Sequence, residues 1–173
     1  MQEMQIYGVS FDLVGKQPIV LLKTADGNKF LPIWIGHPEA AAILMKLQSQ
    51  SVPRPMTHDL LSDMLEQLGA QVVRITVTEL RENTFYAQIT VQQDGTEIEV
   101  DSRPSDAIAL AIRAEAPIFA ADRVIEESAI EFEGEEVDPE QLEAEVARFK
   151  NFLDEVTPDQ FAEVEDEEEE AED

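Results

Sequence analysis

Asp101-Ser102-Arg103-Pro104-Ser105-Asp106-Ala107-Ile108-Ala109-Leu110-Ala111 decides how this chain is laid out. The residues before it alternate, with Thr96, Ile98 and Val100 on one face of a strand. The residues after it are rich in Ala, Ile and Leu and predict a helix over 104–114. Pro104 stands where a helix begins, and there its missing N–H costs nothing. Ser102 and Ser105 suit helix capping, and Asp106 brings negative charge to the first turn. The stretch is a strand-to-helix corner with two carboxylates, one guanidinium and two hydroxyls within six residues. Capping accounts for the serines and Asp106. A functional site accounts for all five groups together.

Upstream of the corner the pattern is a meander. Residues 71–80, 84–92 and 96–100 read as strands, with turns at Arg81-Glu82-Asn83 and Gln93-Asp94-Gly95. Nearer the start, residues 4–12, 18–24 and 29–35 also read as strands. The second of these is apolar on both faces. Ala25-Asp26-Gly27-Asn28 turns the last two into a hairpin, and Pro32 marks an edge position or a bulge. Gly36-His37-Pro38-Glu39 opens a first helix packed through Ala40, Ala41, Ile43, Leu44 and Leu47. His37 reads as a surface residue. A Pro-stiffened connector, 49–56, leads to a second helix capped by Thr57 or Asp59. Leu60, Leu61, Met64, Leu65 and Leu68 share one side of it, and Gly69 stops it. Downstream of the corner, Pro117 breaks the third helix, 118–120 is a short strand and 122–129 a short helix.

The fold class is therefore α+β, with a mixed, largely antiparallel sheet and three main helices, plus a C-terminal helix and an acidic tail. Residues 1–132 form the body. Residues 133–162 form a helical extension in which Leu142, Val146, Phe149 and Leu153 make an apolar stripe. That stripe packs on the body of its own chain, on a second subunit or on another partner. Residues 163–173 are almost wholly Glu and Asp and predict disorder.

Composition narrows the function. The chain has 173 residues, is 43% hydrophobic, and contains no cysteine, which excludes a disulfide framework, a Cys-based zinc site and a thiol nucleophile. Its N-terminus lacks the pattern of a signal peptide, and no apolar run approaches the roughly 18 residues of a membrane span. A cytoplasmic protein is expected. The net charge is −26, unevenly spread. Residues 133–173 hold 19 acidic and 2 basic residues, and residues 1–132 hold 19 acidic and 10 basic. Even the body is acidic, which argues against strong nonspecific binding to phosphate backbones. The tail is read as a solubilising segment, a lure for a basic partner or a mimic of nucleic acid.

Arg-Pro occurs before a helix twice, as Arg54-Pro55 followed by Thr57, His58 and Asp59, and as Arg103-Pro104 followed by Ser105 and Asp106. Together with Leu31-Pro32-Ile33-Trp34-Ile35-Gly36, Glu39-Ala40 and Thr84-Phe85-Tyr86-Ala87, these motifs resemble the bifunctional nuclease family, a domain of bacteria and plants. The resemblance covers about residues 4–132. Residues 149–161 also resemble the C-terminal extension of actinobacterial members. The resemblance implies a compact α+β domain and nuclease activity on DNA and RNA.

Phosphodiester cleavage needs a group that activates water and a group that neutralises charge on the phosphorus oxygens. A divalent metal, Mg²⁺ or Mn²⁺, held by carboxylates would do both. Asp59, Asp101 and Asp106 are the expected ligands. Glu39, His58, Asp59 and Asp106 are the expected catalytic groups, with His58 as general base. Arg54 and Arg103 are expected to hold phosphate, and Thr57 and Ser105 to bind its oxygens beside helix N–H groups. The structural alternatives are that Asp59 and Asp106 cap helices, that Arg103 pairs with Asp101 and Arg54 with Glu39, and that His58 bonds a carbonyl. Trp34, Phe85 and Tyr86 are read as strand and core residues. The competing function is a non-catalytic interaction or regulatory domain. A homo-oligomer, a dimer above all, is expected in either case.

Overall fold

Three successive starts of helices gather at one end of a single sheet, and this gathering positions everything that follows. In the computed structural model, which describes residues 1–11, 16–25, 27 and 29–131, the order is β1 (Gln2–Phe11), β2 (Pro18–Thr24), β3 (Lys29–Trp34), α1 (His37–Leu47), α2 (Thr57–Gln67), β4 (Ala70–Arg81), β5 (Thr84–Gln93), β6 (Thr96–Ser102), α3 (Pro104–Ala114), β7 (Ile118–Ala120), α4 (Asp122–Ser128) and β8 (Ile130–Glu131). The expected C-terminal helix, its apolar stripe and the acidic tail lie outside the described residues, as do parts of the 25–28 turn and the end of the first strand.

The sheet order is β6-β5-β4-β7-β1-β2-β3-β8. Two antiparallel meanders, β1-β2-β3 and β4-β5-β6, are joined by β7, which runs antiparallel to β1 and parallel to β4. The fold is thus α+β with a mixed, largely antiparallel sheet. Both hairpins of the second meander turn through left-handed residues: Glu82 and Asn83 at φ 49° and 61°, Asp94 and Gly95 at 48° and 79°. That pair of positive φ values matches the right-handed twist of the strands they connect. Pro32 lies on β3 beyond the two residues that pair with β8, so its missing N–H breaks no ladder on that side.

The corner behaves as its pattern predicts, but its role in packing is larger. Ala107, Ile108, Ala109, Leu110 and Ala111 are all fully buried. The alanines let α3 lie close to α1, α2, β4 and β5 at once. A Leu or Ile buried in this way contributes about 1.5–3 kcal/mol. β2 buries one face and half-buries the other, which carries Ile19, Leu21 and Lys23.

The second helix departs from expectation. Its leucine stripe does not face the core. Leu60, Leu61, Met64 and Leu68 are exposed, and the buried residue of α2 is His58. The place under the sheet's centre is already taken by α3, so α2 is left with an outward apolar side. Ile98 and Val100 on the edge strand β6 are exposed as well. In α1 the buried face is Ala40, Ala42, Ile43 and Leu44, and Leu47 is exposed.

Candidate functional site

Each of the three main helices carries a carboxylate at its third residue: Glu39 in α1, Asp59 in α2 and Asp106 in α3. A negative charge there offsets the positive end of the helix dipole. Local sequence gives the three the same setting. Tertiary structure gives them different partners.

Asp106 and Glu39 share one arginine. Arg103, the residue just before α3, donates from Nε to Asp106 Oδ2 at 2.6 Å and from Nη2 to Glu39 Oε1 at 2.9 Å. The expected pairings of Arg103 with Asp101 and of Arg54 with Glu39 are replaced by this bridge between α1 and α3. Asp106 Oδ1 lies 2.9 Å from His58 Nε2, which ties in the start of α2. Burial works against ionisation of Asp106, but the hydrogen bonds from Arg103 and His58 outweigh it and hold its pKa below the ordinary value. An ionised carboxylate only accepts, so Nε2 of His58 carries the proton, and in the neutral ring Nδ1 is the basic nitrogen. The bond to Asp106 in turn raises the pKa of Arg103.

The network runs from water to the interior. The Arg103 side chain is 65% exposed, Asp106 30% and His58 11%. Gly36 makes room for it. A Cβ at that position would run into the Glu39 carboxylate. The residue before α1 is thus small where Glu39 must swing toward Arg103.

Asp59 belongs to a different assembly. Its Oδ2 accepts the Met56 backbone N–H at 2.9 Å, which is the capping role expected of it. Its Oδ1 accepts from Arg113 Nε at 2.5 Å. Arg113 also donates to the carbonyls of Ala109 and Ala42, at 2.8 and 3.1 Å. One guanidinium, only 6% exposed, therefore clamps α1, α2 and α3 together. Burial opposes the charge of Asp59, yet the Met56 N–H and Arg113 lower its pKa overall. Sequence reasoning missed Arg113. Its signal was there: a single arginine inside an Ala/Ile/Leu helix must find a buried partner.

The remaining expected residues are scattered. Arg54 is exposed in the connector and Thr57 is exposed at the first residue of α2. Asp101 is exposed on β6, in the field of Arg81, whose guanidinium lies 4.4 Å from the Tyr86 ring centre. The expected metal set of Asp59, Asp101 and Asp106 does not form a unit. Among the described residues no three His, Asp or Glu side chains group as a cation site. Ser105 is buried inside the first turn of α3, whose cap position is taken by Arg103, and Ser102 donates to the Ala87 carbonyl at 3.5 Å.

Beside Arg103 lies an open cavity of about 360 Å³, walled by the end of β3, the β4–β5 turn and the residues 103–105. Trp34, expected in the core, is 51% exposed on its rim.

Residues 20–133 match the family described as bifunctional nuclease domain. The chain belongs to that family. An uncharacterised protein of Mycobacterium tuberculosis is 38% identical over 164 residues, 93% of this chain and 98% of that protein. Bifunctional nuclease 1 of Oryza sativa subsp. japonica is 30% identical over 109 residues, 61% of this chain and 33% of that protein. Bifunctional nuclease 1 of Arabidopsis thaliana is 29% identical over 105 residues, 58% of this chain and 32% of that protein. In this bifunctional nuclease domain, Glu39, His58, Arg103 and Asp106 all fall within the matched residues. No helix among the described residues is long and apolar enough to cross a membrane.

Proposed function

We propose that the domain cleaves phosphodiester bonds of DNA or RNA at the corner formed by Glu39, His58, Arg103 and Asp106. The observation that carries this reading is the continuous chain Glu39–Arg103–Asp106–His58, which joins an exposed guanidinium to a nearly buried imidazole. Arg103 is the group placed to meet a phosphate. Its planar fork suits two phosphate oxygens, and it offsets charge that builds on them in the transition state. A carboxylate held below its ordinary pKa is a weak base near neutrality, so the proton-accepting role falls to His58. Asp106 orients the ring, and Glu39 positions Arg103. No step is assigned to a metal ion.

The second reading is a binding or regulatory domain without cleavage. It is favoured by one observation: Glu39, Asp59 and Asp106 each already have an arginine partner. The test is cleavage of labelled single-stranded DNA and RNA by the full chain, with EDTA, Mg²⁺ or Mn²⁺ present. The catalytic reading expects cleavage that falls by about 10²–10⁴-fold in folded His58→Gln. Cleavage in EDTA supports the assignment without metal, and a strict need for Mg²⁺ or Mn²⁺ overturns that part. Activity no greater than a mock purification, or equal in His58→Gln and the wild type, leaves the binding reading.

A further inference from the structure

We propose that the cavity beside Arg103 is a nucleobase-stacking subsite that selects single-stranded nucleic acid, with a base on Trp34 and the adjoining phosphate on Arg103. The inference rests on reading this corner as a nucleic-acid site, though not on its cleaving anything. Four observations support it. A cavity of about 360 Å³ is within the range of small-ligand clefts, roughly 300–1,000 Å³. Trp34, a large aromatic that folding normally hides, is half in water at its rim, and Phe85 lines the same space. Gln17, Asn83 and Thr84 also line it, residues whose amides and hydroxyl are suited to base edges. Arg103 lines it too, and through Asp106 it joins the cavity to His58.

Electrostatics points the same way. The chain carries a formal charge of −26, so beyond the single contact at Arg103 a broadly basic surface is not there to draw in phosphates. Stacking on an aromatic face needs no positive charge, and every base offers a π face. A duplex keeps those faces occupied by neighbouring bases. An unpaired strand leaves them free, which makes this cavity selective for single strands by geometry.

Trp34 is the sole tryptophan of the chain, so its fluorescence reports this cavity alone. The experiment titrates the full chain with short oligothymidylate and oligoadenylate, their RNA counterparts, a duplex of matched sequence and an abasic strand. Saturable quenching by the single strands is expected, and little by the duplex or the abasic strand. In parallel, the anisotropy of a labelled strand is followed with Trp34→Ala and Trp34→Phe, both checked by circular dichroism. Trp34→Ala should weaken binding by roughly 5- to 150-fold, and Trp34→Phe should restore most of it. With a single phosphate neutralised, affinity should fall only about threefold between 50 and 200 mM salt. Fluorescence that no strand moves, or an abasic strand that binds as well as an ordinary one, overturns the proposal. Cleavage with a silent Trp34 sinks this subsite and spares the nuclease reading. Quenching without cleavage does the reverse.

Discussion

The chain places Arg-Pro before a helix twice, and the two copies do different work. At the start of α3, Arg103 folds over the first turn onto Asp106, reaches across to Glu39 and faces an open cavity. Near the start of α2, Arg54 stands exposed in the connector, and the first-turn carboxylate Asp59 turns instead to Arg113 from another helix. Arg103 is an exposed cation between two carboxylates, available to a ligand. Arg113 is a nearly buried cation whose bonds to Asp59, Ala109 and Ala42 hold helices together. The same local motif yields a candidate site in one place and a structural clamp in the other, because the neighbours differ.

The most damaging test of this contrast is Asp59→Ala. It leaves the nearly buried Arg113 without its counter-charge and should cost about 3–5 kcal/mol in a urea melt. A loss below 1 kcal/mol would mean that the clamp is not what holds the three helices. Next comes Arg103→Ala. This side chain is mostly in water, so the melt should move little. Cleavage, or binding of a labelled strand, should fall by about 10²–10³-fold, the loss of a charge-stabilising donor. If Arg103→Ala unfolds the chain while Asp59→Ala does not, the two roles have been assigned the wrong way round.

Acid should expose both corners together. Asp59 and Asp106 bind protons less tightly folded than unfolded. Their contribution is complete above the ordinary carboxylate pKa of about 4, and drains as pH falls from there through their lowered folded values. Urea midpoints measured from pH 6 down to pH 3 should decline, and Asp59→Asn or Asp106→Asn should flatten the decline. A smaller effect is expected from Gly36→Ala, whose methyl would push the Glu39 carboxylate away from its present place. Stability should change by less than about 1 kcal/mol, since the side chain that gives way is flexible, while activity drops with the loosening of Arg103. The smallest expected change is that of Arg54→Ala, within about 0.5 kcal/mol and with unchanged activity. An activity loss as large as that of Arg103→Ala would erase the distinction between the two motifs.

Much of the fold is legible along the chain. The corner at 101–111 reads correctly because alternation gives way to an Ala/Ile/Leu run with Pro at the junction. The turns at 82–83 and 94–95 read correctly because Asn and Gly tolerate the left-handed backbone that these hairpins need. The two-residue β8 gives no such signal, since it pairs only Lys29 and Phe30 with Ile130 and Glu131. The α2 stripe misleads for a physical reason. Periodicity identifies an apolar face, but which helix gets the space over the sheet is decided by competition, and alanine-rich α3 fits closer. Trp34 misleads in the same way: its place at the end of β3 leaves it at a cavity rim.

Sequence by itself determined the order of elements up to α4, the meanders, the helix starts and the carboxylate in the first turn of each main helix. These depend on backbone preferences and on interactions a few residues apart. Tertiary structure alone decided which arginine meets which carboxylate. The Arg103–Glu39 pair spans 64 residues, the Arg113–Asp59 pair 54 and the His58–Asp106 pair 48. Charges at such separations meet only where packed helices bring them together, and no local pattern encodes that meeting.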